Sequence, residues 1–221
     1  MVHDSLVRAV CRVGLIGDIH CEDEVLARVL QHLHKANLDA ILAVGDMVDG
    51  SGDVNRVCSL LAQHGVLTVA GNHDRWLLEG KMRELPDATP GSTLRSEIRS
   101  WLEHLPKTIS LQTPKGPLLL CHGLSEDDMA DLRPDDEGYA LESNLALQDL
   151  LKAKRYRFVV NGHSHVPMVK TIGQMTIINA GTLDRRHRQV FSVIDFERGI
   201  VDFFDAFKTP LRKVESLGLS P

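Results

Sequence analysis

The sequence has 221 residues, of which 43% are hydrophobic, and its formal net charge is −5. This length and hydrophobic content predict a single domain with a sizeable core, which we place at residues 1–208. The charge gives no sign of a globally basic, nucleic-acid-binding surface. The four cysteines are scattered without Cys-x-x-Cys spacing, so we expect neither a disulfide framework nor a thiolate zinc site.

The two ends of the chain carry no targeting or membrane signal. The sequence opens Met-Val-His-Asp, and it contains no run of about 18 apolar residues. We therefore expect neither export nor a membrane partner, and the cysteine usage favours the cytoplasm. Residues 209–221 mix proline, glycine, serine and charge, and we expect them to form a flexible tail.

The first seventy residues alternate between strand and helix patterns. Apolar, β-prone runs cover Val10–Ile16, Ala40–Val44 and Val66–Ala70, and helical spacing covers Glu24–Leu33 and Val54–Leu61. This βαβαβ order predicts a sheet of parallel strands covered by helices.

The second half of the chain is richer in strands. A loop over 87–92 and a helix over Thr93–Leu105 precede five short strand patterns. We expect these strands to form a second, partly antiparallel sheet packed on the first, which gives an α/β sandwich flanked by helices. The five patterns are 118–121, 158–160, 175–178, 191–194 and 201–204.

Five polar motifs follow strand patterns, so each is expected on a loop at the carboxyl end of a strand, where open α/β sheets bind ligands. Their side chains include seven oxygen and nitrogen donors and no thiolate, a set that suits Mn²⁺, Fe²⁺ or Zn²⁺. Seven donors exceed the needs of one ion. The donors are Asp18, His20, Asp46, Asn72, His122, His163 and His165.

A shared carboxylate would place two ions roughly 3.5–4 Å apart, and a water held between them becomes a hydroxide near neutral pH. Both ions would also hold the oxygens of a phosphoryl group. Two carboxylates against two divalent ions leave a positive site for an anionic substrate. The donor set therefore predicts hydrolysis of a phosphate ester.

From about Val10 to Phe204 the chain resembles the calcineurin-like metallophosphoesterases, and among them the small bacterial phosphodiesterase-like members. The family pattern D-x-H, GD-x-x-D, GNH-D/E, H and GH-x-H is present in order. The resemblance implies an αββα sandwich of two mixed sheets. It also implies that Asp18, His20 and His165 bind one metal, that Asn72, His122 and His163 bind the other, and that Asp46 bridges them.

The same resemblance implies that His73 protonates the leaving oxygen or steadies the transition state and that Asp49 orients it, in keeping with the need of hydrolysis for a proton donor. Two positions depart from the family. Cys21 replaces the usual glycine after D-x-H, which puts a soft, oxidisable side chain beside the first metal. Gly50 stands where protein phosphatases and diadenosine tetraphosphate hydrolases carry a phosphate-binding arginine, and this favours a phosphodiesterase.

Each of three further features allows two interpretations. Asp74 and Arg75 are a substrate contact or a structural pair, and we favour the structural pair. Arg185 and Arg186 replace the missing arginine as substrate-binding residues or form a solvated turn. The acidic stretch 126–137 is a lid or a plain loop, and as a lid it would disfavour duplex nucleic acid as a partner.

We predict a metallophosphoesterase acting on a small phosphate ester, a phosphodiester first. Phosphomonoester hydrolysis, of nucleotides or phosphoprotein, is the alternative within this class. A protein-binding scaffold without activity is the alternative from another class. Manganese is the favoured metal, with iron, zinc or nickel as alternatives.

Overall fold

The computed structural model describes residues 9–219, so residues 1–8, which include the opening Met1–Asp4, and residues 220–221 at the end of the expected tail lie outside the described residues. The described part contains eleven strands and six α-helices. The strands are β1 Arg12–Ile16, β2 Ala40–Ala43, β3 Leu67–Thr68, β4 Thr108–Thr113, β5 Gly116–Cys121, β6 Phe158–Asn161, β7 Met168–Ile172, β8 Met175–Asn179, β9 Val190–Asp195, β10 Ile200–Asp205 and β11 Arg212–Gly218. The helices are α1 Asp23–Leu33, α2 Val54–Gln63, α3 Asn72–Glu79, α4 Ser96–Glu103, α5 Tyr139–Ser143 and α6 Leu145–Ala153.

The first sheet has six strands in the order β11-β10-β9-β1-β2-β3. Its β1, β2 and β3 run parallel, with Leu15 opposite Leu42. On the other side of β1, strand β9 runs antiparallel, with Gly14 opposite Val193. The crossovers between the parallel strands are α1 and α2, as the alternating patterns predicted.

The second sheet has five strands in the order β4-β5-β6-β8-β7. Strands β5, β6 and β8 are parallel, and the edge strands β4 and β7 are antiparallel to their neighbours. Both sheets are therefore mixed: the parallel strands form one side of the first sheet and the middle of the second.

The two sheets face each other across a buried core. Leu15 and Val44 at the first sheet pack in one cluster with Leu120, Phe158 and Val160 of the second. Helices α1, α2 and α4 cover the outer face of the first sheet, and α6 covers the second. This layering is the αββα sandwich, which confirms the predicted fold class.

Local sequence explains where helix α2 begins and where helix α3 ends. The Asp53 side chain accepts hydrogen bonds from the backbone N–H groups of Asn55 and Arg56, at 2.9 and 3.2 Å, and so caps α2. Helix α3 ends at Gly80, whose φ of 68° is the left-handed conformation that glycine adopts without strain.

The assignment of the last two predicted strands to the second sheet is wrong. Strands β9 and β10 instead join the first sheet, beside β1. The chain crosses between the sheets after β8, where Thr182 bridges to both Asp18 and Gln189. Because β9 is buried along almost its whole length, its hydrophobic pattern could not tell which sheet it would join.

Part of the segment expected to be a flexible tail is a strand. Residues Arg212–Gly218 form β11, which pairs antiparallel with β10, and the following Leu219 packs into the core between the sheets. The polar composition of this segment reflects an edge strand, with most of its side chains exposed. None of the helices within residues 9–219 has the length and apolar character needed to cross a bilayer.

Candidate metal centre

All five polar motifs meet at one edge of the sandwich. Each follows a strand of the parallel part of a sheet: β1, β2 and β3 in the first, β5 and β6 in the second. Left-handed backbone conformations are concentrated here, in residues other than glycine. They occur at His20, Asp46, Asp49, His163 and His165, with φ between 45° and 67°. Each costs roughly 1–3 kcal/mol, and such strain is typical of functional loops.

One group of donors surrounds a single point. Ligand atoms of Asp18, His20, Asp46 and His165 all lie within 4.8 Å of one another. The Nε2 atoms of His20 and His165 are 3.2 Å apart. The other ring nitrogen of His20, Nδ1, donates to the carbonyl oxygens of Val48 and Asp49 at 3.1 and 3.0 Å. Neutral His20 therefore presents the lone pair of Nε2 to the centre of the group.

The second group lies beside the first and shares Asp46. Asn72 Oδ1 is 2.8 Å from His122 Nε2 and 3.0 Å from His163 Nδ1. One oxygen of Asp46, Oδ2, lies 3.4 Å from His122 Nε2 and 3.8 Å from His20 Nε2. Asp46 therefore lies between the two groups, in the position of a bridging ligand.

The chemistry of these donors fits cations. His122 Nδ1 donates to the carbonyl oxygen of Val44 at 2.8 Å, so Nε2, which faces oxygen atoms of Asn72 and Asp46, is the ring atom that a cation would bind in place of a proton. The paired Nε2 atoms of His20 and His165 show the same arrangement. Two nitrogens bound to one ion at about 2.1 Å each would be separated by the distance seen here. The residues present therefore fit two metal ions.

Burial and mutual charge shift the pKa values of this group in opposite directions. Burial raises the pKa of Asp18 to about 6. The pKa of Asp46 lies below its usual range, because the attraction of His122 and its neighbours outweighs burial. The pKa of His122 is about 10, since burial is outweighed by the charge of Asp46. Burial and the nearby His20 lower the pKa of His165 to about 3.

A histidine–aspartate pair borders the metal centre. His73 Nδ1 is 2.7 Å from Asp49 Oδ2, and Asp49 has 2% of its side chain exposed. The backbone N–H of His73 donates to Asp46 Oδ1 at 2.9 Å, which ties this residue to the bridging position. Burial would lower the pKa of His73, but the bond to Asp49 and the charge of Asp46 raise it above its ordinary value.

Asp74 is a structural residue, as the sequence favoured. It is fully buried, and its carboxylate accepts hydrogen bonds from the backbone N–H groups of Asp46, Met47 and Gly71 at 2.9–3.0 Å. These bonds hold the loop of Asp46 against the start of α3. Its neighbour Arg75 makes a bidentate pair with Asp128, at 2.6 and 2.8 Å.

The arginines suggested as substrate contacts are both paired with carboxylates. Arg185 binds Glu22 through Nε and Nη2, at 2.5 and 3.0 Å, and Arg186 binds Asp184 through Nε, at 2.9 and 3.1 Å. Both side chains are about half exposed. His187 follows them, and its ring makes an edge contact with His165 at a centroid distance of 4.7 Å.

Sequence reasoning missed two residues that contact the histidine–aspartate pair, Arg83 and Thr89. Both lie in the loop after α3, and both bind Asp49. No motif or periodicity marks this loop, so nothing in a single sequence indicates that it reaches the site. Cys21, expected beside the metal, has its thiol buried 3.7 Å from the Thr89 hydroxyl, and burial raises its pKa to about 12.

Comparison with known proteins places the chain in a family. Residues 11–199 match the model of the calcineurin-like phosphoesterase superfamily domain. The chain therefore belongs to the calcineurin-like phosphoesterase superfamily, whose members use divalent metal ions. This agrees with the resemblance carried by the five motifs.

Solved structures share the fold at low sequence identity. A metallophosphoesterase from Sphaerobacter thermophilus is 19% identical with a TM-score of 0.67, over 95% of this chain and 90% of that one. A novel archaeal phosphodiesterase is 15% identical with a TM-score of 0.54, over 93% and 99% of the two chains. Vacuolar protein sorting 29 from Cryptosporidium parvum is 15% identical with a TM-score of 0.54, over 96% and 100%.

Proposed function

We propose that this protein hydrolyses phosphodiesters of small molecules with two divalent metal ions, manganese being our first choice. One observation carries the proposal: two groups of mostly buried donors share Asp46, and the pair of His73 and Asp49 borders them. Family membership supports a phosphoester hydrolase in general. When bound, the two ions would supply an activated water and neutralise the charge of the phosphoryl oxygens.

The seven donors would hold these ions as the family resemblance implies. Asp18, His20 and His165 would hold one, Asn72, His122 and His163 the other, and Asp46 both. Two carboxylates against two divalent ions leave a positive cradle, which favours an anionic ester over a neutral one.

In this proposal His73 acts as the general acid. Its Nδ1 faces Asp49, so Nε2 is the atom left to donate a proton to the leaving oxygen. In the metal-free fold burial opposes protonation, but the hydrogen bond to Asp49 and the charge of Asp46 together outweigh it and raise the pKa of this ring, which favours its protonated form. Asp49 keeps the ring oriented, since its carboxylate is buried and fixed by its neighbours.

The pairing of the surrounding arginines supports a diester. A dianionic monoester is commonly held by a bidentate arginine. Four arginines around the site instead pair with carboxylates of the protein: Arg75 with Asp128, Arg83 with Asp49, Arg185 with Glu22 and Arg186 with Asp184. A phosphodiester carries one negative charge fewer, and so needs such a residue less.

The test is hydrolysis of bis-p-nitrophenyl phosphate and p-nitrophenyl phosphate by metal-stripped protein resupplied with Mn²⁺, Ni²⁺, Zn²⁺ or Mg²⁺. We expect faster turnover of the diester, restored by a transition metal. Asp46→Asn and His163→Ala should abolish turnover without unfolding the chain, as checked by circular dichroism. Asp149→Asn, an exposed aspartate on α6, is the matched control and should keep full activity.

Other results would select the alternatives. Faster turnover of the monoester would replace the diester proposal with a phosphomonoesterase, and nucleotides would then be the next substrates to assay. Two bound ions without turnover of either ester would favour a protein-binding scaffold. The structural similarity to a vacuolar sorting protein is the reason to consider a scaffold, although the complete donor set favours an enzyme.

A further inference from the structure

We infer that Arg83 is a positioning residue that, with Thr89, locks the carboxylate of Asp49 and thereby aims His73 at the leaving oxygen. This inference rests on the phosphoesterase function proposed above. The contacts are direct: Arg83 Nη1 donates to Asp49 Oδ1 and Nη2 to Oδ2, both at 2.9 Å. Such a bidentate pair fixes both the position and the plane of a carboxylate.

Thr89 holds the same aspartate from its backbone side. Its N–H donates to Asp49 Oδ1 at 2.8 Å, and its hydroxyl accepts a hydrogen bond from the Asp49 N–H at 2.9 Å. Together with the bond from His73, the carboxylate of Asp49 accepts four hydrogen bonds, two at each oxygen. These fill its capacity as an acceptor, so the group has no freedom to turn away from His73.

The donors of Arg83 are largely used within the protein. Its Nε donates to the carbonyl oxygen of Lys81 at 2.7 Å, and Nη1 also donates to that of Thr89 at 3.2 Å. With the two bonds to Asp49, four of the five guanidinium N–H groups have protein partners. This arrangement suits a residue that acts through Asp49 rather than one that grips phosphate.

Position 50, directly after Asp49, has no room for a side chain that could hold this carboxylate. A Cβ atom at Gly50 would lie 1.9 Å from the backbone oxygen of His20, so position 50 accepts no side chain without displacing the loop of a metal ligand. Helix α3, which begins with Asn72 and His73, ends at Gly80, and the chain then returns to Asp49 through Arg83. One continuous segment thus holds Asp49 on two sides.

The test compares leaving groups in the full-length, manganese-loaded protein. Proton donation matters for diphenyl phosphate, whose phenolate leaves poorly, and much less for bis-p-nitrophenyl phosphate. We expect Arg83→Gln to lower kcat for diphenyl phosphate by about tenfold or more, with KM unchanged, and to lower kcat for the nitrophenyl ester by less than about threefold. Arg83→Lys, which keeps the charge but not the fork, should fall between wild type and Arg83→Gln.

Two controls separate positioning from general damage. Arg75→Gln removes a similar bidentate pair on α3 and should not change the ratio of the two substrates. In a His73→Ala background, Arg83→Gln should change kcat for diphenyl phosphate by less than about twofold, because the two residues act as one unit.

A second readout needs no turnover. At a pH high enough to make the ring neutral, nitrogen-15 NMR of His73 in metal-free protein should show the Nδ1–H tautomer in wild type and a mixture of tautomers in Arg83→Gln. Equal losses on both esters, a raised KM with unchanged kcat, or an unchanged tautomer would overturn the inference. If wild type hydrolyses neither ester, the proposed function fails, and the tautomer measurement still decides whether Arg83 positions His73.

Discussion

Gly50 shows at the scale of single residues how tightly the loops of the site are packed. We expect Gly50→Ala to destabilise the protein by about 1–3 kcal/mol and to weaken metal binding, because the new Cβ collides with the backbone of His20. Urea unfolding and titration with Mn²⁺ would measure the two effects. Gly218→Ala is the control, since a Cβ there meets nothing within 4 Å. Similar results for both variants would contradict the close approach.

Asp49 gives a prediction for the dependence of stability on pH. Its pKa is lowered to about 2: burial opposes the shift, but hydrogen bonds from His73 and Arg83 outweigh it. Because the folded-state pKa is depressed, the carboxylate stabilises the fold fully above the unfolded value and loses this contribution as pH falls toward the folded value. The contribution is about 2 kcal/mol.

We therefore expect the free energy of unfolding of metal-stripped Asp49→Asn to lie below that of wild type at about pH 5, with the gap closing toward about pH 2. Urea unfolding at several pH values measures this gap. Asp149→Asn, on the exposed face of α6, should follow the wild-type curve throughout. A gap that stays constant with pH would mean that the charge of Asp49 is not what stabilises the fold.

At the scale of elements, β11 tests whether the C-terminal segment belongs to the fold. Leu219 is 7% exposed and packs between the sheets, whereas Val214 on the strand is 44% exposed. Leu219→Ala should cost about 2–3 kcal/mol of unfolding free energy, and Val214→Ala less than about 0.5 kcal/mol. Chemical denaturation of the two variants would show the difference. Equal, small effects would restore the expectation of a flexible tail.

The elements that were predicted well from the sequence are those whose hydrophobic residues follow one clear helical or strand pattern. Helices α1 and α2 and strands β1 and β2 lie within a few residues of their expected bounds. The edge strands β4, β7 and β11 were missed, because their half-exposed residues carry a weak pattern. Sheet membership of β9 and β10 depends on the path of the chain after β8, and no local pattern encodes that path.

The candidate site was likewise predicted where local sequence determines it and missed where tertiary packing does. The donors lie in short motifs directly after strands, so their meeting at one sheet edge could be predicted from the order of elements. Arg83 and Thr89 reach Asp49 from a loop without regular structure, and their contacts arise only from tertiary packing. The partner of Arg185 was equally hidden, since Glu22 is distant in sequence, whereas Asp184 is only two residues from Arg186.

At the scale of the whole molecule, metal binding should be coupled to stability. Lone pairs that face each other across the site repel in the metal-free fold, and ions that bind only the folded state stabilise it by mass action. At a hundredfold excess over Kd, one ion contributes about 2.7 kcal/mol. For a chain of this length that raises Tm by roughly 5–10 °C.

We expect Mn²⁺ to raise the Tm of metal-stripped wild type by at least this amount, since two ions are proposed to bind, as measured by scanning calorimetry. The Tm of Asp46→Asn should be nearly unchanged by Mn²⁺ because the bridging ligand is lost. Another set of possible ligand atoms, from His165, Asp184 and His187, lies outside the two groups described above and is partly exposed. His187→Ala is therefore the control, and its Tm should rise as in wild type. If the increase survives in Asp46→Asn but disappears in His187→Ala, the ions bind the exposed group, and the buried donors do not form the metal centre.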